Sequence, residues 1–291
     1  MRKTDWHIHT TASDGIFSAE EILHMGFRAG LTHLAISDHD TLDGWFKLFE
    51  AKRLPPMYVT PAIEFSVSLS QESGDAEEIH LLAYAFDPDS DEIREKLVRL
   101  RSEREERFFV MLKKAKQQGF CLPASELEEV MEKSPILGRP QLAKLLIKKG
   151  YFGTMSEVFD QYLGVGKPGY VPRIYCGVEE ISDLIRRNSG IVVLAHPFKI
   201  RSKEIRNILL GSEWIDGIEV YYPTHNVKEK QLLHSICDAS GKYATGGSDF
   251  HGTQGRMPEE LGSFVPDDEG IKEFITRIED SPYGRQVESK E

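Results

Sequence analysis

Short apolar, β-branched runs recur along most of the chain, at residues 5–9, 32–37, 57–65, 78–86, 190–196, 215–221 and 242–249. Several lack polar alternation, Ile191-Val192-Val193-Leu194-Ala195 above all, as strands covered on both faces require. Helical patterns lie between many of them. Ser18-Ala19-Glu20-Glu21 reads as a capping box opening a helix that Gly30 would stop. Residues 177–188 and 226–240 read as further amphipathic helices. Seven strand-like runs alternating with helices predict an α/β fold, a parallel barrel rather than a sandwich.

Residues from about 89 to 166 break that rhythm. A long mixed-charge helical stretch covers 93–118, and shorter helical patterns follow at 123–133, 140–149 and 155–163, with no convincing strand. The pattern predicts a barrel from residues 1–90 and 167–265, with an all-helical insertion, or cap, at 91–166. Residues 266–291 are expected to add one helix (269–279) and a polar, mobile tail.

Composition narrows the classes. The 291 residues are 40% hydrophobic and 29% charged, which suits a folded, soluble protein. A net charge of −11 argues against a general nucleic-acid-coating or membrane-surface role. No apolar run approaches the roughly 20 residues of a membrane helix. The start, Met1-Arg2-Lys3-Thr4-Asp5-Trp6-His7, lacks the apolar core of a signal peptide. Cys121, Cys176 and Cys237 are scattered and odd in number, so a reduced, cytoplasmic chain is expected.

The placement of the ten histidines is more informative than their number. His7 and His9 close the first strand run, where alternate residues point the same way. Asp14 follows in a turn. The second run ends Ser37-Asp38-His39-Asp40, the third reaches Glu64, and the fourth contains His80 near its start. The fifth ends Ala195-His196-Pro197 and the last ends Ser248-Asp249-Phe250-His251. In a parallel barrel the strand ends gather on one face, where active sites sit. Nine imidazoles and carboxylates pooled there would repel or neutralise one another unless divalent cations shared them. Mixed His and carboxylate donors suit Mn, Fe or Zn. His24, His33 and His234 fall outside the pattern and read as structural, while His225 is placed at the cavity mouth.

With these motifs in view (His7-x-His9…Asp14-Gly15, Ser37-Asp38-His39-Asp40, Glu64, His196-Pro197, Ser248-Asp249-x-His251), the chain resembles the PHP family, named for polymerase and histidinol phosphatase domains, over nearly all of residues 3–255. The resemblance implies a distorted (β/α)7 TIM-like barrel with a trinuclear site. His7, His9, Glu64 and Asp249 would hold the first metal. Glu64 would bridge to a second held by His80 and His196, and Asp14, His39 and His251 would hold the third. Two or three divalent ions are therefore expected, manganese foremost, with iron or zinc also suited.

Gly138-Arg139-Pro140-x-Leu142-Ala143 and Gly166-Lys167-Pro168-x-Tyr170-Val171-Pro172 resemble the cap segments of the branch of that family that acts on nucleotides. That branch includes phosphatases of nucleoside 3′,5′-bisphosphates and 5′→3′ exoribonucleases that trim short RNA. It implies Arg139 and Lys167 as phosphate-binding cations; His225, from its place near the cavity mouth rather than from the resemblance, is a further candidate contact. Gln141 stands where many members carry His, which changes the contacts open to base or phosphate. From the residues alone, Arg139 at a helix start could hold an anion with the free backbone N–H groups. A surface Arg and Lys at loop–helix junctions is the plainer alternative.

The expected activity is metal-assisted removal of the 3′-phosphate from a nucleoside 3′,5′-bisphosphate such as 3′-phosphoadenosine 5′-phosphate. The nucleophile would be a hydroxide from a water whose pKa the metals bring toward ~7, without a covalent intermediate. Exonucleolytic cleavage of short 5′-phosphorylated RNA and a histidinol-phosphatase-like monoesterase are the alternatives. The expected partner is a small phosphorylated nucleotide or short oligonucleotide, with no membrane, no long nucleic acid and no obligate protein. A catalytically silent binding module, or C–N hydrolysis of the amidohydrolase kind, fits less well. All nine positions carry competent ligands, and no strand-end Lys suits the bridging role that amidohydrolases use.

Overall fold

The computed structural model describes residues 2–51, 53–69, 76–133, 136–253 and 255–288, without the side chains of 132 and 133. The chain forms two compact units. One takes Met1–Gln71, Glu77–Arg94 and Tyr175–Glu291, and the other is carried by Glu95–Ile174.

In the first unit β1 (Thr4–Ile8), β2 (His33–Ile36) and β3 (Met57–Ser68) pair in parallel. The crossovers are α1 (Ala19–Arg28) and α2 (Asp43–Glu50). The capping box at α1 forms as the sequence implies, with Ser18 and Glu21 each satisfying the other's backbone N–H. β4 (Ile79–Tyr84) then returns antiparallel to β3. Only ten residues, 69–78, separate these strands, too few for the crossover a parallel pair needs.

From β4 the chain enters α3 (Asp91–Gln117), most of which belongs to the second unit together with α4 (Ala124–Lys133), α5 (Arg139–Lys148) and α6 (Met155–Val158). A π-helical turn, Phe159–Leu163, extends α6. Phe108, Met111 and Ala115 of α3 pack with Leu142, Leu145 and Leu146 of α5 and with Val158 and Leu163. This unit therefore has a core of its own, and among its described residues there is no strand.

The chain rejoins the sheet at β5 (Cys176–Gly177), parallel to the far end of β3. After α7 (Val178–Arg187), β6 (Ile191–Leu194) lies antiparallel to β4. Then α8 (Lys203–Gly211), β7 (Gly217–Tyr221), α9 (Val227–Ser240) and β8 (Tyr243–Gly246) complete a parallel run from β6 to β8. A parallel bridge between Ile8 and Phe250 brings the end of β1 beside the residues after β8, so the mixed sheet curls round on itself. The fully parallel arrangement expected from the sequence is thus corrected: β4 opposes both of its neighbours.

The C-terminal residues add α10 (Lys272–Glu279) and β9 (Arg285–Val287), antiparallel to the start of β3. A mobile tail was the expectation, and residues 285–287 correct it; residues 289–291 lie outside the described residues. Phe274, Ile275 and Ile278 of α10 share a core with Trp6, Ala35, Ala62, Leu82 and Val193 from five strands. Phe274 meets the rings of Trp6 and Tyr84 edge-on at 5.4 and 5.2 Å, a favoured aromatic geometry.

Gly247, just past β8, couples this scaffold to the histidines. A Cβ there would overlap the Cβ and backbone nitrogen of His7. Gly247→Ala is expected to cost about 1–3 kcal/mol through overpacking, a loss of several degrees in Tm. Thermal unfolding followed by circular dichroism checks this, and an unchanged Tm would show that the close approach relaxes freely.

Candidate metal centre

The residues singled out by the motifs arrive from different strands. His7 is on β1 and His9 follows it; His39 follows β2 and bridges to Glu64 on β3. His196 follows β6, and Asp249 and His251 follow β8. His80, near the start of its run, is explained by strand direction. Because β4 is antiparallel, its beginning lies where the parallel strands end, and the register sets Ser66 opposite His80, two residues from Glu64.

Glu64 is buried at the middle of the set. Its Oε1 is 2.8 Å from His80 Nδ1, 3.0 Å from His196 Nε2 and 3.4 Å from His7 Nε2. Its Oε2 is 3.1 Å from His39 Nδ1 and 3.2 Å from His9 Nε2. Asp249 Oδ1 lies 3.3 Å from His9 Nε2 and 3.6 Å from His7 Nε2. Asp14 stands 3.1 Å from His251 Nε2 and 3.5 Å from His9 Nδ1. The donor atoms form three groups compact enough for a shared ion: His7, His9, Glu64 and Asp249; His9, Asp14, His39 and His251; and His39, Glu64 and His80. His196 joins the third group through Glu64 and through His80 Nδ1 at 3.3 Å.

The donor set fits divalent cations. His7 Nε2, both nitrogens of His9, His39 Nδ1, His251 Nε2 and Glu64 Oε2 are buried and make no directed hydrogen bond, although opposite charges stand close. Such groups are costly unless something satisfies them, and a hard or borderline cation does so by taking the lone pair of a carboxylate or of an imidazole that has given up its proton. Their protonation follows from the crowding. Burial works to raise the Glu64 carboxyl, but His80, His39 and His7 hold it well below the usual carboxylate range. Burial likewise opposes protonation of the imidazoles, yet Asp249 and Glu64 carry His9 up to about 9, and Glu64 carries His80 up to about 10. Burial prevails at His39, pushed down to about 4, and also lowers His196 and His251.

Further groups complete the centre. Glu219 on β7 accepts from His7 Nδ1 at 2.8 Å and from the His196 backbone N–H at 2.7 Å. Its signal was a lone acid inside an apolar strand run, a placement that burial makes expensive without partners. Asp38 accepts from the Thr10 backbone and from the Thr10 and Ser13 hydroxyls, fixing the turn between His9 and Asp14. Lys199, Tyr222 and Arg256 all reach Asp249; they lie in loops with no spacing signature. His225 is one ring further out: its Nδ1 bonds Val220 O, and it packs against Tyr222 and Phe198. His24, His33 and His234 bond Arg53 O, Glu279 and Tyr221 respectively. Arg139 and Lys167 belong to the helical unit, where the Arg139 guanidinium sits 5.7 Å from the Phe159 ring and 5.8 Å from that of Tyr170.

No protein-family model matches the chain. The 5′-3′ exoribonuclease Rnm of Escherichia coli (strain K12) is 28% identical over 256 residues, 85% of this chain and 84% of that protein. The 3′,5′-nucleoside bisphosphate phosphatase of Chromobacterium violaceum is 27% identical over 262 residues, 86% of this chain and 88% of that one. Among solved structures, a Bifidobacterium adolescentis protein assigned as a metal-dependent phosphoesterase superposes with a TM-score of 0.75 at 26% identity, covering 95% of this chain and 96% of its own. A Chromobacterium violaceum structure assigned as an amidohydrolase, with bound sulfate and no metal, does so equally (TM-score 0.75, 26% identity, 94% and 96% coverage). The likeness to an exoribonuclease, a bisphosphate phosphatase and a metal-dependent phosphoesterase therefore extends along most of the chain. Among the described residues no helix is long and apolar enough to cross a membrane.

Two outcomes are expected. Glu219→Ala should weaken manganese binding by roughly 10- to 100-fold, the usual effect of removing a group that orients a ligating His, and titration with manganese reads it directly. Metal affinity should also fall with acidity. His9 and His80 hold protons below about 9 and 10, so an ion must displace them at neutral pH. Each displaced proton costs about tenfold in apparent affinity per pH unit lowered. Titrations at pH 6, 7 and 8 that gave one constant would contradict this.

Proposed function

We propose that this metal-dependent phosphoesterase of the PHP type removes the 3′-phosphate of nucleoside 3′,5′-bisphosphates, with 3′-phosphoadenosine 5′-phosphate as the representative substrate. The observation that carries the reading is the pooling of six imidazoles with Asp14, Glu64 and Asp249, in a chain similar over most of its length to a bisphosphate phosphatase. We read the curled sheet as a distorted (β/α)7 barrel and the helical unit as an insertion in its sequence.

In this reading His7, His9, Glu64 and Asp249 hold one divalent ion. Glu64, His80 and His196 hold a second, and Asp14, His39 and His251 a third, with manganese the first choice and iron or zinc next. Ions there would supply charge for the phosphoryl oxygens and a water acidic enough to act as nucleophile near neutral pH. The chain's own part is positioning. Glu219 engages His7 Nδ1, which leaves Nε2 as the donor facing Glu64 and Asp249. Asp38 pins Thr10 and Ser13, so His9 and Asp14 keep their separation. Burial of Glu64, His7 and His9 keeps bulk water from screening the charges around the reacting group.

Arg139 and Lys167 are assigned to a second phosphate, which is why a bisphosphate is preferred to a simple monoester. His225, through its packing on Tyr222, is assigned to the sugar or base side. Cleavage of short 5′-phosphorylated RNA is the second reading, supported by the likeness to the E. coli exoribonuclease.

Purified enzyme with manganese should release inorganic phosphate from 3′-phosphoadenosine 5′-phosphate faster than it releases mononucleotides from short 5′-phosphorylated RNA. The opposite ranking selects the exonuclease reading. Asp249→Ala and His9→Ala should each lower turnover by at least about a hundredfold, the scale of a lost charge-stabilising group, with the circular dichroism spectrum unchanged. Near-normal activity in either variant would refute the assignment.

A further inference from the structure

Asp249 turns its two oxygens toward different surroundings. Oδ1 faces inward to His9 and His7, at 3.3 and 3.6 Å. Oδ2 accepts from three donors: Tyr222 Oη at 2.8 Å, Lys199 Nζ at 2.9 Å and Arg256 Nη2 at 3.2 Å. Arg256 Nη2 also reaches Oδ1 at 3.3 Å, and its Nη1 stands 3.9 Å from Asp14 Oδ2. The donors come from three separate segments. Lys199 ends the short 3-10 turn Pro197–Lys199, Tyr222 directly follows β7, and Arg256 lies in the loop after β8.

Burial separates the members of this group. The Asp249 side chain is 3% exposed, whereas those of Lys199 and Arg256 are 45% and 41% exposed. The two cations thus stand between the buried Asp249 carboxylate and solvent. Tyr222 is buried, and its ring carries the Lys199 ammonium 4.7 Å above its face, an arrangement that favours the cation. A carboxylate oxygen and a phosphoryl oxygen are equivalent acceptors for an ammonium and a guanidinium fork. An array that converges on one anionic oxygen is therefore suited to another anionic oxygen at the same mouth.

We propose that Lys199 and Arg256 form the clamp for the reacting phosphoryl group, with Tyr222 as a positioning residue that holds Lys199 beside Asp249. The clamp differs in role from Arg139 and Lys167, which serve a second phosphate. When Asp249 is committed to an ion, its charge no longer satisfies the two cations, and the dianionic phosphate of the substrate becomes their acceptor. The inference rests on the phosphoesterase reading, and it is independent of which nucleotide is the substrate.

Inorganic phosphate is the probe. Its binding to the manganese-loaded protein is measured by calorimetry, with metal content determined on the same samples. Lys199→Met and Arg256→Met should each weaken phosphate binding about tenfold, as loss of one charge-assisted contact implies, while metal content stays at the wild-type level. Lys199→Arg should restore most of the affinity, and Tyr222→Leu, which removes the ring under the Lys199 ammonium, should weaken phosphate binding several-fold with metal content unchanged. With a phosphate ester substrate the two Met variants should raise KM as well as lower kcat. Unaltered phosphate affinity in both Met variants, or in a Lys199→Gln variant if a Met variant does not fold, overturns the clamp. So does loss of manganese from them with normal phosphate affinity in the sites still loaded, since the cations would then only support Asp249. If the wild type binds phosphate and the variants do not, yet neither bisphosphate nor RNA is hydrolysed, the nucleotide assignment fails and the clamp stands.

Discussion

A single buried carboxylate organises this molecule. Glu64 has no contact with solvent, and five imidazoles stand within 3.4 Å of it. An isolated charge in such a place costs several kcal/mol, and the cost is met only where partners surround it in sound geometry. The backbone is arranged accordingly. β3, the strand that carries Glu64, pairs with β2, β4, β5 and β9. Glu64 itself donates its N–H to Asp38 O and accepts from Asp40 N–H. The longest strand of the sheet is thus a rigid support for one side chain, and the strands on either side deliver His39 and His80 to it.

How legible this was depends on what kind of signal each residue leaves. Candidate ligands at the ends of apolar runs, such as His7, His9, His39, His196 and Asp249, were visible because a polar residue that closes a buried strand is unusual in composition and fixed in position. The direction of β4 was in principle legible too, since ten residues between two strands favour a hairpin, but a regular alternation of strands and helices elsewhere pulled the reading toward an all-parallel sheet. β9 left no pattern: two of its three residues are exposed, and its pairing with β3 is set by where α10 ends rather than by its own sequence. Glu219 was hidden differently. It sits inside an apolar strand, and only the partners it finds in space, His7 Nδ1 and His196 N–H, distinguish a supporting acid from an error in the pattern. Lys199, Tyr222 and Arg256 are loop residues whose convergence depends wholly on the turns that carry them.

Those turns are strained where the chemistry is concentrated. Asp40, His196 and Asp249 take left-handed backbone conformations (φ 51°, 26° and 53°) just beyond β2, β6 and β8. For residues other than glycine, each such conformation costs on the order of 1–3 kcal/mol and persists only when its surroundings demand it. The demand is identifiable at two of them. The His196 N–H is drawn to Glu219 while its ring is drawn to Glu64, and Asp40 accepts from the Ser66 N–H on β3. Ala85 and Ser189 share the same conformation away from the centre, so strain alone does not mark a site; at His196 the strain is tied to two buried acids.

The consequence is a division of labour between sheet and loops. Strands place Cα atoms within a fraction of an ångström but offer each side chain only one of two faces, so a sheet alone would aim alternate residues away from Glu64. Leaving the strand through a left-handed residue turns His196 and Asp249 back over the rim, and the same turns carry Lys199 and Arg256 to the outer oxygen of Asp249. The inner cluster of imidazoles and acids and the outer donors on Asp249 therefore follow from one geometric device. Relaxing it at Asp249 would disturb both together, because a single carboxylate faces both sets.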